Sequence, residues 1–326
     1  MIIYPIVYPS ALQFWLSADF VSEYYLQNNE KRIALPCDYH LSSVKSEVET
    51  LSQKYFLPVP IRFQVPKTCL RVYKEAIVSS IKSYHIPENC FILIDDPSNK
   101  IPVYVASPEY CFLKAASYLT LNELILLGYQ LCGKYVPDNH SIYNQRSRKP
   151  ITNTFMISAF LKQCRGASGV KKAKRAIAYV LNNSNSPMES KIAMAIVLPL
   201  SMGGFGLKRP ELNRDIYLSI SGQKHLGYEK CCCDFAWVAE KVIGEYDSVM
   251  AHMNSQQFIQ DKKRSCALNL SGYKVIHITC NSMNNYTDYK ELFDSLRSSL
   301  KIRKHKDRLA KYEDERYELF KFLRTH

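Results

Sequence analysis

Three acids sit where strand-forming residues surround them. Asp234 lies in the run Cys233-Asp234-Phe235-Ala236-Trp237, and Glu245 and Asp247 end the run Val242-Ile243-Gly244-Glu245-Tyr246-Asp247. Side chains two apart on a strand share a face, so Glu245 and Asp247 point the same way. A hairpin turning at residues 238–240 brings Asp234 beside Glu245. Carboxylates gathered on one side of a sheet repel each other unless a cation lies between them. Hard oxygen donors of this kind select Mg²⁺ or Mn²⁺. Such an ion activates water and stabilises charge developing on a scissile phosphate. Glu189, in the segment before these strands, is within reach of the same cluster. The alternative is that the acids are solvated strand ends, a reading that fits Asp247 better than the apolar-flanked Asp234 and Glu245.

The elements around these residues have a definite order. Ser186-Pro187-Met188-Glu189 has the spacing of a capping box, and opens a helix that runs to about residue 200. Gly203-Gly204-Phe205-Gly206 reads as a turn. Strands are expected at about residues 215–220, 228–237 and 241–247. A helix at 255–270 ends before Gly272, a strand covers 273–279, and a helix covers 283–300. The order is α-β-β-β-α-β-α. The last stretch, 301–326, carries nine basic and five acidic side chains. It reads as one charged helix, solvated or touching a DNA backbone or another copy, the solvated reading being preferred.

As an ordered set, these segments resemble a known family. Ser-Pro-Met-Glu-Ser, then Cys-Asp-Phe-Ala-Trp, then Gly-Glu-Tyr-Asp-Ser with His252 after it, then Asp261-Lys262-Lys263-Arg264, then the run from Leu270 to Thr279 are similar to the very-short-patch-repair-like endonuclease domains of the PD-(D/E)xK superfamily. The resemblance covers residues 186–280. It implies a restriction-endonuclease-like α-β-β-β-α-β core with a mixed sheet, and a metal held by Asp234 and Glu245. It also implies catalytic roles for Glu189, Asp234, Glu245 and Asp247, with His252 as a general base, and a charged pair at Asp261 and Arg264. Two departures stand against activity. Ser248 replaces the usual glycine after the second aspartate, Asp247, and His252 lies five residues beyond Asp247.

The rest of the chain reads as α+β. Residues 10–28 show a helical face of Leu12, Trp15, Leu16 and Phe20. A helix at 42–55 and a strand at 61–65 follow. Strands at 90–94 and 101–106 flank a turn at 95–99. Ser107-Pro108-Glu109 opens a helix, and 122–135 is another. This part, 1–135, resembles more weakly the antitoxin-like proteins of abortive-infection type IV toxin–antitoxin systems, which implies a cognate toxin or other phage-defence partner. Residues 136–185 read as a basic linker with short helices at 151–163 and 168–182. The domain plan is therefore 1–135, 136–185, 186–300 and 301–326.

Charge points to a polyanion. The chain of 326 residues has 43 Lys and Arg against 30 Asp and Glu, a net +13. No acid occurs from 139 to 188, where nine basic side chains stand. Lys171, Lys172, Lys174 and Arg175 crowd the start of a helix, against its dipole, and together with Lys262 and Arg264 they are the candidate DNA contacts. A solvated helix face is the alternative for the first four. The eleven cysteines have irregular spacing and no CxxC pair, which suggests reduced thiols and a cytoplasmic protein. The adjacent Cys231, Cys232 and Cys233 suggest strand packing. The start, Met-Ile-Ile-Tyr-Pro, lacks the pattern of a signal peptide, and no apolar run is long enough to span a membrane. The expected function is a metal-dependent DNA endonuclease or nickase. The competing expectation is an inactive, antitoxin-like binding protein, and an RNA-directed nuclease comes third.

Overall fold

The computed structural model describes residues 3–17, 32–36, 44–65, 70–72, 74, 76–80, 86–94, 101–137, 147–247, 255–303 and 306–326. The expected helix at residues 18–28, the 95–99 turn and His252 lie outside them. The chain is mixed α+β and divides into two units, Met1–Asn182 and Asn183–His326.

The first unit holds a seven-stranded mixed sheet. Its strands are β1 (Tyr4–Ile6), β2 (Arg32–Ile33), β3 (Ile61–Val65), β4 (Leu70–Val72), β5 (Ala76–Ser80), β6 (Phe91–Ile94) and β7 (Val103–Ala106), in the order β2-β6-β7-β1-β3-β5-β4. The helices are α1 (Ser10–Leu16), α2 (Val44–Tyr55), α3 (Pro108–Ala115), α4 (Leu121–Cys132), α5 (Thr154–Gln163) and α6 (Val170–Ile177). Ser107 caps α3 as its sequence implied, accepting from the Tyr110 N–H at 3.3 Å.

Residues 147–182 do not behave as a linker. Arg148 is buried and donates to the carbonyls of Trp15, at 3.0 Å, and Gln130, at 2.7 Å. Thr152 donates to the buried Glu109, which also takes Arg32 at 2.8 Å. Both α5 and α6 bury an apolar face. A segment rich in Lys and Arg thus joins the first core because Ile157, Leu161, Ala173 and Ile177 recur at helical spacing.

The second unit holds a four-stranded sheet of β8 (Glu211–Tyr217), β9 (Lys230–Trp237), β10 (Val242–Asp247) and β11 (Lys274–Thr279), in the order β11-β10-β9-β8. The pairs β8–β9 and β9–β10 are antiparallel, and β10–β11 is parallel. Its helices are α7 (Pro187–Val197), α8 (Ile220–Leu226), α9 (Ser255–Leu270), α10 (Cys280–Asn284), α11 (Tyr286–Ser299), α12 (Lys306–Lys311) and α13 (Glu313–Thr325). The parallel pair requires a crossover, and α9 supplies it. One core packs Ile216, Cys231, Cys233 and Ile243 against Ala267, Leu268 and Tyr273. Cys232 faces solvent, so the three cysteines alternate as strand residues should. A second core is aromatic, with Phe205 stacked on Phe293 at 4.2 Å and Tyr289 against Phe320 at 5.1 Å.

Three expectations are corrected here. The strand expected at 215–220 is shifted to Glu211–Tyr217, and residues 220–226 form α8, capped by Ser219 and ended by left-handed Gly227. The helix expected at 283–300 is broken at Asn285, whose side chain caps α11 by accepting from the Thr287 N–H at 2.8 Å. The C-terminal stretch is not one solvated helix. It divides into α12 and α13, and α13 buries Arg316, Leu319, Phe320 and Leu323. Burial of apolar side chains of this size stabilises by about 1.5–3 kcal/mol each, so the last helix belongs to the second unit.

Candidate active site

The β9–β10 hairpin sets the centre of the site. Its register pairs Val242 with Trp237, Ile243 with Ala236 and Gly244 with Phe235, and the recorded pairing ends one step before Glu245 and Asp234. The regular alternation of β9 breaks at this point. Cys231, Cys233 and Ala236 all line one core, which puts a change of face between Cys233 and Ala236. Opposite, between the β8 pairs Leu212–Phe235 and Arg214–Cys233, Asn213 has φ of 50°. Asn tolerates the left-handed region better than most residues. Asp234 does not lie free. Its Oδ2 accepts from the Tyr246 N–H at 2.8 Å.

Glu189 reaches this region from the first turn of α7. Ser186 caps that helix, accepting from the Glu189 N–H at 3.1 Å. The reciprocal half of the expected capping box is displaced by one residue. The Glu189 carboxylate accepts from the Asn185 N–H at 2.8 Å, not from Ser186, and also takes the Asn213 amide at 2.6 Å. Asn213 thus ties the distorted strand position to the helix acid.

The acids sense one another. Burial, then the charge of Asp234, pushes Glu245 up to about 8 against the pull of Arg264. Burial, then Asp234, pushes Glu189 up to about 7. Asp234 is itself raised by burial, opposed by the Tyr246 N–H and Arg264. Desolvation and like charge together mark a group of carboxylates short of positive charge.

Arg264 of α9 supplies part of that charge. Its Nη2 lies 3.1 Å from both oxygens of Glu245 and also donates to the Cys232 carbonyl. Burial disfavours its charge, yet Glu245, Cys233 and Asp234 outweigh that and hold its pKa above the usual value. Arg264 therefore points into the acid cluster. Asp247 is held by His277 of β11, with Nδ1 at 2.8 Å from Oδ2, and the other ring nitrogen lies 3.3 Å from the Ser265 hydroxyl. The hydrogen bond to Asp247 raises the His277 pKa.

The structure thus brings together Glu189, Asp234, Glu245 and Asp247, with Arg264 among them. His252 lies outside the described residues. Lys262 is exposed on α9. Lys171, Lys174 and Arg175 are exposed on α6, whereas Lys172 donates to the Leu119 carbonyl at 2.9 Å and is half-buried. The basic helix belongs to the first unit and the acid cluster to the second. Sequence reading missed Asn213 and His277. His277 stands between Ile276 and Ile278, the signal that singled out Asp234, whereas Asn213 stands beside Arg214 and outside the strand expected at 215–220.

The donors suit Mg²⁺ or Mn²⁺ in type, being carboxylates gathered with surplus negative charge. In their present arrangement, no three Asp, Glu, His or Cys side chains among the described residues converge as a metal-holding group, and a guanidinium occupies the Glu245 oxygens. No helix among the described residues is long and apolar enough to cross a membrane. No family model, curated protein or solved structure matches the chain.

Proposed function

We propose that the unit from Asn183 to His326 is a restriction-endonuclease-like module that hydrolyses DNA phosphodiester bonds. The observation that carries this reading is the gathering of Asp234, Glu245 and Glu189, from two adjacent strands and the helix before them, into a buried cluster with raised proton affinity. The order helix α7, strands β8 to β10, helix α9, strand β11 supports it, with α8 as an addition between the first two strands.

Asp234 and Glu245 would hold the ion, Mg²⁺ or Mn²⁺, which supplies an activated water and charge stabilisation at phosphorus. Asn213 and Asn185 fix the Glu189 carboxylate and keep it turned to the cluster. Tyr246, through its backbone N–H, fixes Asp234. Arg264 neutralises Glu245 in the metal-free protein, and once released it is placed to pair with a phosphate, for which its planar fork is suited. His277, oriented by Asp247, is a proton carrier beside the cluster. Exposed Lys171, Lys174, Arg175 and Lys262 would hold the DNA backbone.

A second reading has its own support. The Arg264–Glu245 pair gives the cluster an internal cation, as expected of a nuclease fold retained for binding alone. A plasmid-nicking assay with Mg²⁺ or Mn²⁺ decides between them. The nuclease reading expects cleavage by the wild type, and its loss beyond about 10⁴-fold in Asp234→Asn with DNA affinity kept. Wild type that cuts neither DNA nor RNA with either ion leaves the binding reading standing.

A further inference from the structure

A cavity of about 450 Å³ lies within the second unit, among the loop after α7, the end of α11 with the residues that follow it, and α12 with Tyr312. It is of the size that encloses small organic ligands. Leu200, Ile302 and Leu309 give it apolar walls, Tyr312 adds an aromatic ring, and Arg297 and Arg303 add two guanidinium groups. No carboxylate is among its described lining residues.

Arg297 is 6% exposed. Its Nη2 donates to the Phe205 carbonyl at 2.8 Å, and its buried Nε has no partner. Its Nη1 donates to no described residue either, and Arg297 is itself one of the residues that line the cavity. Asp294, three residues earlier on α11, partly offsets the charge of Arg297, and a second buried guanidinium lies nearby. Arg316 is 1% exposed, with Nε and Nη2 unpartnered, and its guanidinium lies 5.3 Å from the ring of Phe205 in the cavity wall. Among the described residues it pairs with the carboxylate of Glu313, at 2.6 Å, which also serves Lys290 and Tyr286. Buried donors without acceptors are costly to leave unmade, and a guanidinium matches a phosphate with two parallel hydrogen bonds.

We propose that this cavity binds an organic phosphate of mononucleotide size, with the phosphate on Arg297 and Arg303 and the apolar or ring-bearing part against Leu200, Ile302, Leu309 and Tyr312. Two cations match the double charge of a phosphomonoester, and the uncharged walls leave no attraction for a bare ion beyond them. The site is separate in its residues from the acid cluster and does not depend on any reaction there.

The probes are 5′-AMP, adenosine and inorganic phosphate, titrated into the full chain at constant ionic strength by calorimetry and thermal shift. Saturable AMP binding is expected, at least about tenfold tighter than phosphate or adenosine alone. Arg303→Gln, an exposed position, should weaken AMP about tenfold and leave the unliganded melting temperature unchanged. Arg297→Lys, which keeps the charge but loses the fork, should also weaken it. Asp234→Asn should bind AMP as the wild type does. The proposal is overturned by an absence of saturable AMP binding, by phosphate binding as tightly as AMP, or by equal affinity in Arg303→Gln. AMP binding that is lost in Asp234→Asn would move the site to the acid cluster and overturn it as well.

Discussion

Burial and the charge of Asp234 push Glu189 up to about 7 and Glu245 up to about 8, from a usual value of 4.5. Between those limits the folded state binds more protons than the unfolded chain, so stability falls as pH rises. The contribution is fully present below about 4.5 and is lost by about 8. A divalent cation in the cluster reverses the sign, because it favours the ionised form. The melting temperature of metal-free protein should therefore decline from pH 5 to pH 8, and Mn²⁺ should raise it more at pH 8 than at pH 6. Thermal melts at the two pH values check this, and a Mn²⁺ effect equal at both would remove the acids from the metal site. Asp234 and Glu245 were legible in sequence because a charge in an apolar run demands a partner. Glu189 was legible through its spacing from Ser186, although its carboxylate bonds one residue earlier than that spacing implies. What could not be read was the partner of each acid. Arg264 meets Glu245 across 19 positions, and His277 meets Asp247 across 30, and such pairings follow only once β10 and β11 lie parallel.

At the scale of elements, the strongly patterned pieces were legible, and the short ones joined by turn-like residues were not. Helix α8 escaped because Ser219, Gly222 and Gly227 look like a loop. Its glycine answers to packing rather than to propensity. A Cβ at Gly222 would stand 2.6 Å from the Ser271 hydroxyl and 2.7 Å from the Ala267 carbonyl at the end of α9. Gly222→Ala, favourable for an isolated helix, should here destabilise by about 1–3 kcal/mol through overcrowding, read as a lower urea midpoint. A gain in stability would mean that α8 packs more loosely than these distances allow. Helix α6 gives a second test. Lys171, Lys174 and Arg175 project to solvent, and replacing them with Gln should reduce the log–log salt dependence of DNA binding by up to about three. Lys172→Gln should leave that slope alone and cost about 0.5–1.5 kcal/mol of stability, because its ammonium bonds the Leu119 carbonyl. If the triple variant keeps the wild-type slope, α6 does not touch phosphates.

At the scale of the molecule, the sequence implied four segments and the structure resolves two units. The difference has a physical source. Charge density suggested a linker at 136–185 and a solvated tail at 301–326, yet both stretches carry apolar residues at helical spacing, and burial rather than net charge decides where a helix packs. Each unit thus completes its own core, the first with α5 and α6, the second with α13. The acids, Asn213, Arg264 and His277 all fall within 183–326, whereas the exposed basic face of α6 falls within 1–182. Under the proposed function this divides the labour, with metal binding in one unit and part of the backbone affinity in the other. A chain beginning at Asn183 should therefore fold alone and show the same Mn²⁺-induced rise in melting temperature, greater at pH 8, as the full chain. Its DNA affinity should be weaker, and its salt slope lower by about the amount that neutralising Lys171, Lys174 and Arg175 removes from the full chain. Calorimetry and fluorescence anisotropy on the fragment, the full chain and the triple variant give the comparison. A fragment that folds but ignores Mn²⁺ would show that the acid cluster is completed from outside its own unit. A fragment with the full chain's salt slope would show that the basic helix serves something other than nucleic acid.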